Sequence, residues 1–228
     1  SLFIPLIIYG YMFKGQSFPI TERAEMGIST SDSLKSLFKP LYLFIAICML
    51  LSAATELGTT QRIESLLKET GINALLVLAF INGVMMIGRY YAGPIANQLS
   101  TIGMLWFSAL FSFLGLQLLS IASGNFVFFA AGIFAMGITF FWPTTLAFIS
   151  KNIPESGAFG LSIMGGLGML SVSIVLPLMG RYLDNSVGTD VIQRISLLPG
   201  ILFICYGSLY AYRKKILAKK WTVDRKNR

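Results

Sequence analysis

Ionisable side chains are scarce in the long apolar runs of this sequence, and Glu56 and Arg89 are the first candidates for chemistry. Glu56 lies in LLSAATELGTTQR, and Arg89 lies in VMMIGRYYAG. An ionisable group inside an apolar segment costs free energy and is a functional candidate by default. Glu56 is interpreted as a proton-coupling carboxylate or a substrate ligand, and the alternative is an interfacial carboxylate in water. Arg89 is interpreted as a gate that pairs with backbone carbonyls at a helix end, and the alternative is a topology anchor.

Two uncharged amides could bind a solute in the same runs. Asn82 falls near the middle of an apolar run, where its amide must find partners. Those partners are either solute hydroxyl groups or a neighbouring helix. Gln61 belongs with the threonines around Glu56, and together they form a polar helix end that could break and line a cavity.

The stretch GITFFWPTTLAFIS combines an aromatic ring, a proline and threonines. Pro143 removes one helical hydrogen bond and frees the carbonyl four residues earlier, which Thr144 and Thr145 can re-satisfy. Trp142 beside this kink could stack on the apolar face of a sugar, or it could belong to an interfacial aromatic belt. We expect Thr139, Trp142 and Thr144 to contact solute and Pro143 to take part in gating.

Composition excludes a soluble enzyme, an intrinsically disordered protein and a secreted disulfide scaffold. Of 228 residues, 55% are hydrophobic and 12% are charged, whereas a soluble domain has about 25% charged residues. There is no His, and Cys48 and Cys205 lie in apolar runs as small hydrophobic residues. We therefore expect no metal site, no cofactor and no enzymatic activity, and the GGLGML run is not a dinucleotide fingerprint because it lies inside an apolar span.

The length of the apolar runs predicts an all-α integral membrane protein, since barrel strands are shorter and alternate. Residues 1–13 are interpreted as the end of a truncated transmembrane helix, because the chain opens inside an apolar run without an initiator Met. Six complete spans follow, over 41–57, 72–92, 102–122, 126–149, 159–180 and 195–212, and together they form the bundle 41–212.

The polar segments give the expected orientation. The tail 213–228 holds eight basic residues against one acidic residue, which predicts a cytoplasmic C-terminus rather than nucleic-acid binding. Counting back through the spans places the 14–40 loop and the turn at 93–101 on the cytoplasmic side of the inner (plasma) membrane. The loop is either a linker or a short surface helix capped by a serine and carrying Leu34, Leu37 and Phe38.

Four stretches carry a resemblance to a known family. They are SAATELGTTQRIESLL, INGVMMIGRYYAGPIANQLS, GITFFWPTTLAFIS and GAFGLSIMGGLGMLSVSIVLPLMGRYLD. With this layout of spans, the chain resembles the C-terminal half of a major facilitator superfamily transporter, from a bacterial branch distantly like the sugar transporters. The resemblance implies 12 helices in two six-helix halves, the N-terminal one missing from this chain, that rock about a midplane site.

The resemblance also assigns a gating loop after the second full span. The family pattern is G-x-x-x-D followed by basic residues. Gly93 fits it, whereas Asn97 stands at the acidic position and the basic residues are absent.

The expected function is secondary active transport of a small solute by alternating access, coupled to protons through Glu56. Polar uncharged groups outnumber charges in the spans, which favours a sugar or another neutral hydroxylated solute. An anion would require a Lys or Arg within the membrane, and the sequence places Arg89 near the cytoplasmic edge. The alternative function is a transporter-like sensor or receptor that moves no solute.

Overall fold

The structure is a computed structural model that describes residues 3–15 and 30–226. Every regular element in these residues is helical. The α-helices are α1 (Phe3–Met12), α2 (Thr30–Leu37), α3 (Pro40–Ala53), α4 (Thr59–Gln61), α5 (Ile63–Leu66), α6 (Ala74–Tyr90), α7 (Ala92–Gln98), α8 (Thr101–Ile121), α9 (Phe126–Ile138), α10 (Phe141–Asn152), α11 (Gly157–Leu183), α12 (Gly188–Ile195) and α13 (Leu197–Lys226). A π-helical turn at Ala54–Gly58 joins α3 to α4, and 3₁₀ turns lie at Lys68–Thr70 and Pro154–Ser156.

Within the described residues, five helical stretches are long and apolar enough to cross a membrane. They are Pro40–Gln61, Thr101–Ile121, Phe126–Asn152, Pro154–Leu183 and Gly188–Tyr212. The predicted span 72–92 corresponds to α6, a shorter apolar helix of 17 residues. The all-α prediction is confirmed for the described residues, and the chain is a multi-pass membrane protein.

Several predicted boundaries differ from the structure. The predicted turn at 93–101 is wrong in its first part, because helix α7 begins at Ala92 directly after a break at Tyr91. The polar segment 181–194 contains the end of α11 and most of α12. The last helix does not end at 212 but continues to Lys226. Hydropathy detects only the apolar part of a helix. The hydrogen bonds of the same helix can continue through polar residues beyond it, so the predicted boundary and the end of the helix differ.

The core of the bundle is a close packing of α8 against α9. A Cβ on Gly115 would collide with the backbone of Phe134, and one on Gly137 would collide with the backbone of Ser112. Small residues at such crossings let two membrane helices touch along their backbones. The contact fixes α9, and therefore the helix end that follows it.

Helix α2 occupies part of the predicted 14–40 loop and confirms the surface-helix interpretation there. Its packed face differs from the prediction, because Leu34 and Phe38 are exposed while Ser33 and Ser36 are buried. It packs against the Pro154–Ser156 turn, and just after α2 Lys39 pairs with Glu155 at 3.1 Å. Residues 16–29, the rest of that predicted loop, lie outside the described residues.

Candidate functional site

Glu56 lies in the π-helical turn rather than at a helix end. Such turns interrupt α-helices at single sites and occur frequently at functional positions. Side-chain hydroxyl groups satisfy backbone carbonyls around it: Thr55 donates to the carbonyl of Leu51 at 2.8 Å, and Thr60 to that of Glu56 at 2.8 Å. On the opposite side, a Cβ on Gly58 would lie 3.2 Å from Val175, so the turn packs closely on α11. The turn thereby holds a carboxylate within the bundle, where 6% of Glu56 is exposed.

Arg89 reaches the bundle from α6. Its neighbour Gly88 faces Thr139 so closely that an added Cβ would lie 2.8 Å from the Thr139 methyl carbon. This approach brings α6 against the end of α9. Arg89 lies in the last turn of α6, one residue before that helix ends at Tyr90, and α7 follows as a separate helix.

The carbonyl of Thr139 is the backbone group that Arg89 contacts. In a continuous helix this oxygen would accept from the N–H of residue 143, but that residue is proline and has no N–H. The helix breaks between α9 and α10, and Nε of Arg89 donates to the Thr139 oxygen at 3.2 Å. The Thr139 hydroxyl is engaged elsewhere, donating to Ala135 at 2.6 Å. The freed carbonyl is thus satisfied by Arg89, not by Thr144 or Thr145 as the sequence predicted.

The same guanidinium group pairs with Glu56. Nη2 of Arg89 donates to Oε1 of Glu56 at 3.4 Å, which is longer than the roughly 2.7–2.9 Å of a strong charged hydrogen bond. Oε2 of Glu56 is buried and has no hydrogen-bond partner in the described residues. The two partners differ in environment, since 7% of the Glu56 side chain is exposed against 45% of the Arg89 side chain.

These two charges lie in the wall of a cleft of about 570 Å³, which we call the charged cleft. Its other lining residues are Leu57, Ala92, Trp142, Pro143 and Met169. The indole of Trp142 is positioned by Gly168, where an added Cβ would lie 2.5 Å from Cζ2 of the ring. Nε1 of Trp142 is buried without a hydrogen-bond partner in the described residues. The cleft therefore offers a cation, a carboxylate and an aromatic ring within otherwise apolar walls.

Two further cavities lie near the charged cleft. An apolar cavity of about 480 Å³ is lined by Val84, Ile87, Gly88, Ile95, Leu99, Phe107, Met136, Thr139 and Phe140. A smaller cavity of about 240 Å³ is lined by Ala92, Gly93, Ala96, Thr101, Met104, Phe140, Pro143, Thr144 and Ala147. Both border α7, which is otherwise loosely packed on the bundle.

The structure brings only some of the predicted site residues together. Glu56, Arg89, Trp142 and Pro143 line the charged cleft, and the carbonyl of Thr139 binds Arg89. Three other predicted residues lie outside the charged cleft. Thr144 and Gly93 line the small cavity, and the backbone of Asn97 is helical in α7.

Two predicted ligands lie away from the cleft. Asn82 is exposed and donates to the carbonyl of Leu78 on its own helix at 2.9 Å. Gln61 is exposed and is not part of the cleft wall. Asn82 lies seven residues before Arg89, which is almost two full turns, so the two residues are on nearly the same face of α6 but about 10 Å apart along the helix axis.

Sequence reasoning missed Leu57, Ala92 and Met169 as lining residues, and Gly88 and Gly168 as the residues that position Arg89 and Trp142. Leu57 adjoins Glu56, and Ala92 is three residues after Arg89, so one helical turn around each charge would have found them. Met169 had no such signal, because its place depends on how α11 packs against α3 and α10. The glycines of α11 are typical of close helix packing, and the structure identifies the ring of Trp142 as the partner of Gly168.

No family model, no curated protein and no solved structure matches this chain. The likeness to the major facilitator superfamily therefore remains a resemblance carried by the four sequence stretches. What the structure establishes is a multi-pass, all-helical membrane protein with an ion pair in the wall of a cleft.

Proposed function

We propose that the chain is half of a secondary active transporter that moves a small solute by alternating access, coupled to protons through Glu56. The observation that carries the proposal is the Glu56–Arg89 pair in the charged cleft of a multi-pass membrane protein. Intramembrane ionisable groups that face a cavity mark solute and ion pathways. In this proposal the second six-helix half implied by the resemblance supplies the opposite wall.

The local backbone supports a site that changes shape. A π-helical turn carries Glu56, and a helix break at Thr139 carries the carbonyl that binds Arg89. Interrupted helices at substrate sites are a feature of transporters, because their free backbone groups and irregular turns can rearrange without unfolding whole helices. We place the protein in the inner membrane with its basic tail in the cytoplasm, following the distribution of Lys and Arg.

The sequence argument for a neutral hydroxylated solute depended on the position of Arg89. With Arg89 near an edge, the spans contained no cation for an anion to bind. The guanidinium group lies in the wall of the charged cleft, where a solute can reach it, so a position near the helix end does not by itself exclude an anion.

The test measures uptake of a labelled small solute into liposomes that contain the full-length protein, with an acidic medium outside and a neutral lumen. We expect saturable uptake that disappears when the pH gradient is collapsed by a protonophore. Glu56→Gln should abolish accumulation, because a glutamine cannot carry the coupled proton. Gln61→Ala is a suitable control, since Gln61 lies outside the cleft. Unchanged pH-driven accumulation by Glu56→Gln would refute the coupling role.

A further inference from the structure

We propose that the charged cleft takes a small organic anion, a monocarboxylate with an apolar body, whose carboxylate binds Arg89 when Glu56 takes up a proton. This inference rests on the proposed function and specifies the substrate class of the same site. It replaces the neutral solute expected from the sequence.

Arg89 has binding capacity beyond its two contacts. A guanidinium group carries five N–H donors, and described residues engage Nε and Nη2. Almost half of the side chain is exposed, in the wall of the cleft. The Thr139 carbonyl holds Nε in place, which leaves Nη1 available to an anion, and Nη2 as well once Glu56 releases it. A planar fork of donors with a fixed base suits a carboxylate.

Glu56 is the competitor of that anion. Its Oε1 accepts from Arg89 over a long 3.4 Å, and no described residue bonds to its Oε2. Protonation removes the charge of Glu56 and releases the guanidinium group for another carboxylate. Binding is reciprocal, so an anion on Arg89 promotes proton uptake by Glu56 as much as the proton promotes anion binding.

Charge balance links the two events. With Glu56 ionised the pair is neutral, and with Glu56 protonated a bound monoanion restores neutrality. A cleft with mostly apolar walls disfavours any other state, because an unpaired charge there is costly. One proton and one monoanion therefore enter together and the cycle moves no net charge.

Within the part of the chain that the structure describes, Glu56 exchanges its partner without interference from a second ionisable group. The elements packed against the π-helical turn are α3, α4, α11 and α13. Among the described residues, Arg89 is the one ionisable group with a charge interaction or hydrogen bond to Glu56. The other titratable or charged side chains described on those elements are Tyr42, Cys48, Arg181, Tyr182, Cys205, Tyr206, Tyr210 and Tyr212.

The rest of the cleft defines the body of the solute. Leu57, Ala92, Trp142, Pro143 and Met169 supply hydrocarbon, a thioether and an aromatic ring. They offer no second cation for a dianion. A sugar would leave most of its hydroxyl groups without partners on this wall, which costs binding energy.

The experiment uses the full-length protein and radiolabelled pyruvate, an acid that stays ionised and crosses bilayers slowly unaided. Glucose and glycine serve as neutral and zwitterionic comparators. We expect saturable, acid-driven uptake of pyruvate with no dependence on membrane potential. In detergent, adding pyruvate to weakly buffered protein should cause uptake of one proton for each anion bound.

Variants distinguish the role of each charge. Arg89→Gln should weaken pyruvate binding about 10- to 100-fold, the range expected for loss of a charged hydrogen bond. Glu56→Gln resembles the protonated state, so it should keep pyruvate exchange between the two sides while losing both accumulation and the pH dependence of binding. Arg62→Gln is the matched control, because this half-buried arginine lies near Gly180 and outside the cleft. If Arg89→Gln does not fold, Arg89→Lys provides the test, with weaker binding at unchanged charge.

The outcomes separate this inference from the proposed function. Acid-driven uptake of glucose or glycine without pyruvate uptake would overturn the anion site and support transport. Pyruvate binding with proton uptake but no transport of any solute would support the anion site and overturn transport. Pyruvate binding that Arg89→Gln leaves unchanged would overturn the anion site, and the absence of both binding and transport would overturn both proposals.

Discussion

Glycine serves two different purposes in the α8–α9 contact and around the charged cleft. At the α8–α9 contact, Gly115 and Gly137 meet backbone atoms of the opposite helix. Beside the cleft, Gly88 and Gly168 meet side chains, the methyl group of Thr139 and the ring of Trp142. Backbone atoms cannot move aside without moving a helix, whereas a side chain can rotate. The first pair therefore holds the bundle together, and the second positions the groups that carry chemistry.

The largest expected effect comes from the α8–α9 contact. Gly115→Ala and Gly137→Ala should each destabilise the protein by about 3 kcal/mol, the upper part of the usual range for overpacking, because the added methyl group meets backbone. Thermal unfolding in detergent micelles would measure this loss. Gly83→Ala on α6 is the control, since nothing lies within 4 Å of its added Cβ. Equal stability of all three variants would contradict the close backbone packing.

A smaller effect is expected from breaking the ion pair, and it should be asymmetric. Arg89→Gln leaves an unpaired buried carboxylate and should cost about 2 kcal/mol near neutral pH, below the 3–5 kcal/mol of a fully buried pair because Arg89 is half-exposed. Glu56→Gln leaves a cation that water can still reach, and it should cost less.

The pH dependence of stability checks this asymmetry. Acid neutralises an unpaired Glu56, so the destabilisation by Arg89→Gln should shrink as the pH falls, while that by Glu56→Gln should not. Unfolding midpoints at pH 5 and pH 8 would show the difference. A loss for Arg89→Gln that stays constant between these values would mean that Glu56 keeps the same protonation state in the folded protein with and without Arg89, and it would contradict the prediction.

The smallest effect on stability, but a clear one on function, is expected beside the cleft. Gly88→Ala would place its methyl group 2.8 Å from the Thr139 methyl carbon, so α6 must shift slightly, and we expect a cost of about 1 kcal/mol. The displaced α6 should lengthen the contact of Arg89 with the Thr139 carbonyl and lower the affinity for the solute. Gly83→Ala again serves as the control. Solute affinity and unfolding measured on the same preparation would separate the two consequences, and wild-type affinity in Gly88→Ala would show that Gly88 does not position Arg89.

Pro143 shows how far sequence reasoning reaches at this site. A proline frees the carbonyl four residues earlier whatever the tertiary structure, so an unpaired carbonyl at Thr139 follows from covalent chemistry. The sequence also marked Arg89 as a cation that would pair with carbonyls at a helix end. That these two are partners depends on the approach of α6 to the end of α9, 50 residues away along the chain.

The limits of hydropathy appear at Asn82 and in the turn predicted after Arg89. Asn82 is polar and central in an apolar run, yet its amide is satisfied by the carbonyl of Leu78 on the same helix. Burial of a polar group requires a partner but does not say which, and the local carbonyl is always within reach. The turn predicted at 93–101 was wrong in its first part for a different reason, because helical structure resumes in α7 after the apolar window has ended.

The sequence by itself determined the class of the molecule, the helices and the scarce charges. Long apolar runs have no stable state in water, and a backbone in lipid must satisfy its own hydrogen bonds, so membrane helices follow from composition and length. Only the tertiary structure decided that Glu56 and Arg89 form a pair, that the Thr139 carbonyl fixes Arg89, and that Trp142 and Met169 share their cleft. Contacts between distant residues depend on which helix faces approach each other, and here glycines at single crossings set that approach.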